Sequence, residues 1–382
     1  MSRPRIYLAA LGDVNDPRTW SGIPYHFLQA AQAGNLIDEG LTLVPDGADW
    51  RRRRILWNSW RYFTGQGKGG FQYSTTALER LWVPKHEHVL DQVVINCFQL
   101  FPPSIVAEHR IHKQFYIDMT LTQLFDFYQE RCTIGSRIAQ EAVQREKEGY
   151  QSATFVVCHS QWAARSVLKD YGIEAGKVKV IVPGANLDLT SYRQWQQDST
   201  MPVRPSGKSL QLIFIGKQWH RKGLDRLLEA LQLVEQQGQR VNLSVLGCYR
   251  EELPSRLQNI ANVQWLGFVD KRKEMQRFFD LVAEADVGCL LSRAEAGGMV
   301  LREYHALGLV VLGTAVGGAP EHMFSDAGYA VPPDAPPEAI AGWLLELVDH
   351  PEKLAALRRR AWERKEEATW DGTVAQWRAL LS

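Results

Sequence analysis

The sequence predicts an α/β fold of two doubly wound domains. Two observations carry this. Short, continuously apolar runs alternate with amphipathic helical stretches along the chain, and one polar, aperiodic stretch, Asp188–Ser209, interrupts the alternation. Continuous apolar strands separated by helices belong to parallel sheets covered on both faces. A length of 382 residues also exceeds one ordinary hydrophobic core.

In chain order, RIYLAAL, LTLVP, VVIN, QFYID, TFVVCHS and KVKVIVPG read as the buried strands of the first half. LQLIFIG, VNLSVLG, VQWLGFV, VGCLLS and LVVLGT repeat the pattern in the second. Helices fall between them, as in GLDRLLEALQLVEQQG and KRKEMQRFFDLVAEA. The polar stretch, with two prolines, reads as an interdomain linker. The expected domains are residues 1–190 and 205–366, followed by a last helix over 367–382. Ligands of such sheets bind beyond the strand carboxyl ends, which places the expected site in a cleft between facing domains.

Composition narrows the function. A 45% hydrophobic and 23% charged chain is ordinary for a globular protein, and a net charge of +1 gives no field to recruit nucleic acid. Cys97, Cys132, Cys158, Cys248 and Cys289 are scattered without a C-x-x-C pair, which points to a reducing cytoplasm and away from disulfides or structural zinc. The opening MSRPRIYLAALGD reads as a strand and not as a signal peptide, and no apolar run approaches a membrane span. The expected location is cytoplasmic, with any membrane contact peripheral on the inner face.

Two stretches carry chemistry. In FIGKQWHRKGLD a strand ends at Gly216 and a helix opens near Gly223, with Lys217, Arg221 and Lys222 in the loop. Cations at a helix N-terminus make an anion site. In SRAEAGGMVLREYHALG a strand ends at Ser292, a loop carries Glu295, and Gly297 and Gly298 precede a helix that carries Glu303. The glycines let backbone amides approach a ligand, and the helix start, at Met299 and Val300, favours phosphate. A carboxylate accepting two vicinal hydroxyls holds a ribose or a sugar ring. The stretch therefore offers one acid for a sugar, amides for phosphate and one acid for ribose.

With these motifs the chain resembles the retaining glycosyltransferases of family 4, which have the GT-B fold. Their paired glutamates, seven residues apart, match Glu295 and Glu303. Their phosphate loop of Gly-Arg, four residues, Lys-Gly matches Gly216-Lys217 and Lys222-Gly223. CHSQWAARSVLKDYGIEAGKVKVIVPGAN is similar to the end of their first domain, with Asn186 where Asp is commoner. VQWLGFVDKRKEMQRFF is similar to their base-holding loop, which puts Gly267 and Phe268 at the base. The tail around Trp370 looks like their last helix, which crosses back to the first domain.

The sequence departs from the family pattern at four places. Lys217 stands for Arg, Ala296-Gly297 for Gly-Phe, Tyr304 for a small residue and Leu309 for Pro. None removes a charge that the chemistry needs. In the first half Ser21-Gly22 stands where the family has a glycine-rich loop, so the resemblance sets Gly22 and Ile23 against the donor phosphates. Asp118, after a mid-domain strand, either orients an acceptor hydroxyl or caps a helix. His26, His86, His88, His109 and His112 have no metal-like spacing.

DWRRRRILWNSWRYF, Asp49–Phe63, interleaves Arg51–Arg54 with Trp50, Trp57, Trp60 and Phe63. Two readings stand: a core-facing helix with its tryptophans on one stripe, or an interface helix that meets a membrane surface or an anionic acceptor.

The resemblance implies a retaining glycosyltransferase that moves a sugar from a nucleoside diphosphate sugar to a hydroxyl acceptor. A uridine donor ranks first and a guanosine donor second. Glu295 and Lys222 are the catalytic candidates, with Asp118 on the acceptor side. No Asp-x-Asp stands in a suitable loop, so no metal or other cofactor is expected, and Lys217, Lys222 and helix amides take that charge role. A GT-B sugar-nucleotide epimerase and a catalytically silent sugar-nucleotide-binding subunit are the alternatives.

Overall fold

The computed structural model describes residues 3–45, 47–65, 69–128, 134–201 and 209–382. Cys132 and residues 202–208 of the expected linker lie outside the described residues. The chain divides into two compact units, Met1–Val182 with Thr373–Ser382, and Pro183–Gly372.

The first unit is built on six parallel strands: β1 (Ile6–Leu11), β2 (Glu39–Leu43), β3 (Val93–Asn96), β4 (His112–Ile117), β5 (Phe155–Cys158) and β6 (Val178–Val180). They stand in the order β2-β1-β3-β4-β5-β6. Side chains from both faces are buried, as a doubly covered parallel sheet requires: Tyr7, Leu8 and Ala9 of β1 and Val156, Val157 and Cys158 of β5 all lie inside. The last helix, Trp370–Leu381, sends the buried Trp377 against Phe27 and Tyr116, with ring centroids 5.8 and 5.3 Å away.

The second unit carries β7 (Leu210–Ile215), β8 (Val241–Leu246), β9 (Val263–Gly267), β10 (Val287–Leu290), β11 (Val310–Thr314) and β12 (Gly328–Val331). Their order is β12-β11-β10-β7-β8-β9, again parallel. Read in sequence order this is the Rossmann arrangement, with the winding reversing between β7 and β10. Two apolar layers flank it, one with Leu227, Leu231, Ile340 and Leu344, the other with Phe278, Phe279, Leu301 and Tyr304.

Three expectations need correction. The stretch read as a linker holds the helix Leu189–Asp198, capped by Asp188, whose carboxylate accepts from the Ser191 N–H at 2.8 Å. Tyr192 and Trp195 bury it in the second unit, and their apolar pairing three residues apart was hidden among polar neighbours. The first unit accordingly ends at Val182 and not at 190, and the final segment joins it from Thr373 and not from 367. Strand β12 was not anticipated: its four residues begin at a glycine and only Val331 is fully buried, so no apolar run announces it.

Candidate functional site

The loops after β7 and β10 meet at the point where the winding of the second sheet reverses. The meeting depends on Gly223, which caps the helix Leu224–Gln236 in the left-handed conformation at φ 72°. A Cβ there would stand 1.9 Å from the Leu291 carbonyl oxygen, so no other residue permits this approach. Polar staples then hold the loops together. The Arg293 N–H donates to the Arg221 carbonyl at 2.8 Å, and the Arg221 guanidinium donates to the Ala294 carbonyl at 2.8 Å. Arg293 grips the buried Asp225 with two bonds of 2.8 and 2.9 Å.

This frame puts Lys222 against Glu295. The ammonium donates to Glu295 Oε2, the Ser292 hydroxyl donates to the same oxygen at 3.2 Å, and the Arg221 guanidinium lies 3.6 Å from it. Glu295 is buried and Lys222 nearly so, so the pair sits in a medium where charge acts strongly. Gly298 caps the following helix, Met299–Ala306, whose first N–H groups have no partner within the helix. Gly297 lies against His322: a Cβ on it would come within 2.7 Å of that ring.

Glu303, one turn into this helix and buried, receives the Lys271 ammonium at 2.6 Å. Lys271 also donates to the Asn186 carbonyl at 3.1 Å and stands 5.1 Å from the centre of the Phe278 ring. Tyr304 points the other way, into the core, where its ring fills the space left by Gly288. A larger residue beside the acid is thus accommodated by a smaller one on β10. Gly267, at φ 66°, ends β9, and the exposed Phe268 lies 4.6 Å from the Lys217 ammonium.

Among the expected residues the second unit therefore brings Lys222 to Glu295 and Lys217 to Phe268. Glu303 meets Lys271, which the sequence reading left out. Lys271 belongs to the run DKRKE, where nothing separates it from solvated neighbours. His322, also left out, is buried in a short 3-10 turn without periodicity.

In the first unit, Gly22 at φ 87° caps the helix Ile23–Ala33. Trp20 and Ser21 before it are left-handed too, and the Trp20 indole donates to the Leu11 carbonyl at 2.8 Å. Asp118 follows β4, half-buried, and its charge adds to the burial that pushes the Cys97 thiol up. The helix after it, Leu121–Phe127, is capped by Thr120 in a capping box with Gln123, so Asp118 is not the cap. A cavity of about 570 Å³ in this unit is lined by Leu43, Trp50, Arg80, Val83 and Lys85, none of them an expected site residue.

The segment Gly47–Phe63 is one helix. Trp50 and Trp57 face inward onto Phe71, with ring centroids 4.8 and 5.8 Å away. Trp60 leaves that stripe and is more than half exposed, since its ten-residue offset from Trp50 carries it off their face. Among the described residues no three His, Cys, Asp or Glu side chains cluster as a metal site, and no helix is long and apolar enough to cross a membrane.

Comparison with known proteins bears on the family and the fold. Residues 197–364 match the family model described as glycosyl transferases group 1. The chain is 27% identical over 236 residues to a D-inositol 3-phosphate glycosyltransferase of Segniliparus rotundus, covering 59% of this chain and 52% of that one. It is 31% identical over 149 residues to a GDP-mannose-dependent monoacylated alpha-(1-6)-phosphatidylinositol monomannoside mannosyltransferase of Corynebacterium glutamicum, covering 36% and 37%. The chain thus spans about half the length, or less, of these curated relatives. Among solved structures, Anabaena HepE in complex with UDP and glucose aligns over 99% of both chains at a TM-score of 0.61 and 17% identity. WaaG, a glycosyltransferase involved in lipopolysaccharide biosynthesis, aligns over 97% of this chain and 98% of its own, at 0.62 and 18%. Residues 197–364 therefore form a glycosyl transferases group 1 domain, in a chain with the GT-B fold.

Proposed function

We propose that the chain is a retaining glycosyltransferase that moves a sugar from a nucleoside diphosphate sugar to an acceptor hydroxyl, in glycan, glycolipid or small-glycoside synthesis. The observation that supports it most is the Lys222–Glu295 pair at the switch point of the second sheet, with Glu303 one turn into the adjoining helix. A donor's diphosphate competes for Lys222, and its sugar hydroxyls compete for Glu295. Glu303 takes the ribose. As the anomeric C–O bond breaks, negative charge builds on the diphosphate, where Lys222, Arg221, Lys217 and the helix N–H groups after Gly298 stabilise it. These cations supply the charge that a divalent ion supplies elsewhere, so the reaction is assigned no metal. The new bond forms on the face the leaving group departs from, and the leaving phosphate takes the acceptor proton. Gly22 and Ile23 are assigned to the donor phosphates and Asp118 to the acceptor.

A uridine donor is favoured, since HepE, of the same fold, was solved with UDP; guanosine stands second, since the Corynebacterium relative is named GDP-mannose-dependent. The test is incubation of the purified chain with UDP- and GDP-sugars in EDTA, following sugar release and transfer. Turnover that survives chelation and keeps the anomeric configuration supports the reading. Conversion of the donor to its epimer points to an epimerase, and tight nucleotide binding without turnover to a silent subunit.

A further inference from the structure

The helix Gly47–Phe63 carries more than its inward contacts use. It holds five arginines against one aspartate in a chain whose net charge is only +1. Its inward stripe of Trp50, Trp57 and Arg61 is spent on the first unit, where the Trp57 indole donates to the Gly69 carbonyl at 3.1 Å. Its other side is apolar where a surface helix is ordinarily polar. Leu56, Trp60 and Phe63 recur at helical spacing and are all more than half exposed, Phe63 at 84%. Ile55 joins them at a similar exposure.

Three arginines of the helix are exposed as well. Arg51, Arg52 and Arg54 face solvent, and among the described residues no hydrogen bond or ion pair holds the side chain of Arg52 or Arg54. Arg53, by contrast, is paired to Asp49 at 2.8 Å. Exposed cations beside large exposed apolar side chains on one helix suit a boundary where anionic headgroups and acyl chains lie within a few ångströms of each other. Nucleic acid would satisfy the arginines and leave the aliphatic side chains in water.

We propose that this helix docks the protein on a bilayer of anionic phospholipid, with Ile55, Leu56, Trp60 and Phe63 entering the headgroup–acyl boundary and Arg51, Arg52 and Arg54 meeting the phosphates. The proposal is independent of the reaction assigned above. Its ligand is the membrane surface and not the sugar acceptor.

Flotation of the full chain with vesicles tests it. Wild type floats with phosphatidylcholine–phosphatidylglycerol vesicles, less so as salt rises, and stays behind with phosphatidylcholine alone. The variant Arg51→Gln/Arg52→Gln/Arg54→Gln loses roughly 100-fold in partition coefficient. Ile55→Ser/Leu56→Ser/Phe63→Ser loses about tenfold or more. Should either triple variant misfold by circular dichroism, Phe63→Ser alone, at the most exposed position, still lowers partition roughly fivefold. Equal flotation of wild type and folded variants overturns the proposal, as does equal binding to both vesicle types or to neither. Binding to duplex DNA as tight as to vesicles also overturns it, and so does self-association abolished by these variants without any vesicle binding.

Discussion

Glu295 and Glu303 are both buried acids paired with a lysine, and the origin of each lysine separates their roles. Lys222 comes from the loop after β7, at a helix start suited to phosphate, so the proposed reaction assigns its partner Glu295 to the transferred sugar. Lys271 comes from the segment after β9, beside the residues assigned to the base, so the same proposal assigns its partner Glu303 to the nucleoside. Lys222→Ala is expected to lower kcat roughly 100-fold or more with the fold intact, as removal of one preorganised charge does; near-normal turnover in a folded variant would remove Lys222 from the phosphates. Glu303→Ala is expected to weaken free nucleoside diphosphate binding by about 1.5–3 kcal/mol, because ribose is common to donor and product. Glu295→Ala is expected to spare that affinity and lower turnover. Calorimetric titration of both variants decides, and the reverse pattern exchanges the two assignments. A further residue bears on stability. His159, just after β5, is buried with both ring nitrogens lacking a hydrogen bond among the described residues, and burial lowers its pKa from 6.5 to about 3. The folded state thus resists a proton that the unfolded state accepts below 6.5. Its contribution is full above that pH and is lost as pH falls toward 3. Between pH 7 and pH 5 wild type is expected to lose about 2 kcal/mol more than His159→Phe in urea unfolding; parallel losses would show that the imidazole does protonate in place.

At the scale of elements, the most informative glycine is the one that lets two loops touch. Gly223→Ala sets a methyl group into the Leu291 carbonyl and forces a left-handed alanine. The expected cost is about 2–5 kcal/mol. Gly342, exposed in the helix Pro337–Asp349 with nothing near its missing Cβ, is the opposite case. Gly342→Ala is expected to stabilise by about 0.5–1 kcal/mol. Denaturant midpoints of the two variants check both signs, and a harmless Gly223→Ala would mean that the loops are not held as described. The same elements show what sequence can carry. Eleven strands were legible because a doubly covered parallel strand must be apolar on both faces, and the Lys222–Gly223 and Glu295–Glu303 spacings were legible because each lies within one loop and helix start. Lys271 and His322 were not, since each reaches its place through tertiary packing that leaves no local period. The helix Leu189–Asp198 was missed because two buried aromatics among eight other residues make a faint stripe.

At the scale of the whole molecule, each unit has its own sheet and its own buried side chains, so each is expected to open as a body of its own. The motifs read for phosphate, sugar and ribose fall inside Pro183–Gly372, whereas Gly22, Ile23 and Asp118 fall in the other unit. Nucleotide binding therefore has an expected footprint. A ligand at 100 times its dissociation constant adds about 2.7 kcal/mol to the body that holds it, which slows exchange through global opening of that body by roughly 100-fold. Hydrogen exchange with saturating UDP is expected to show this slowing in β7, β8, β10 and β11, whose amides exchange only when the second sheet opens. Strands β1, β3 and β4 are expected to keep their rates. Repeating the measurement with Glu303→Ala at the same UDP concentration removes most of the slowing if ribose is held there. Equal slowing of β1, β3 and β4 would show that the two sheets open together and that the second unit does not bind nucleotide as a separate body.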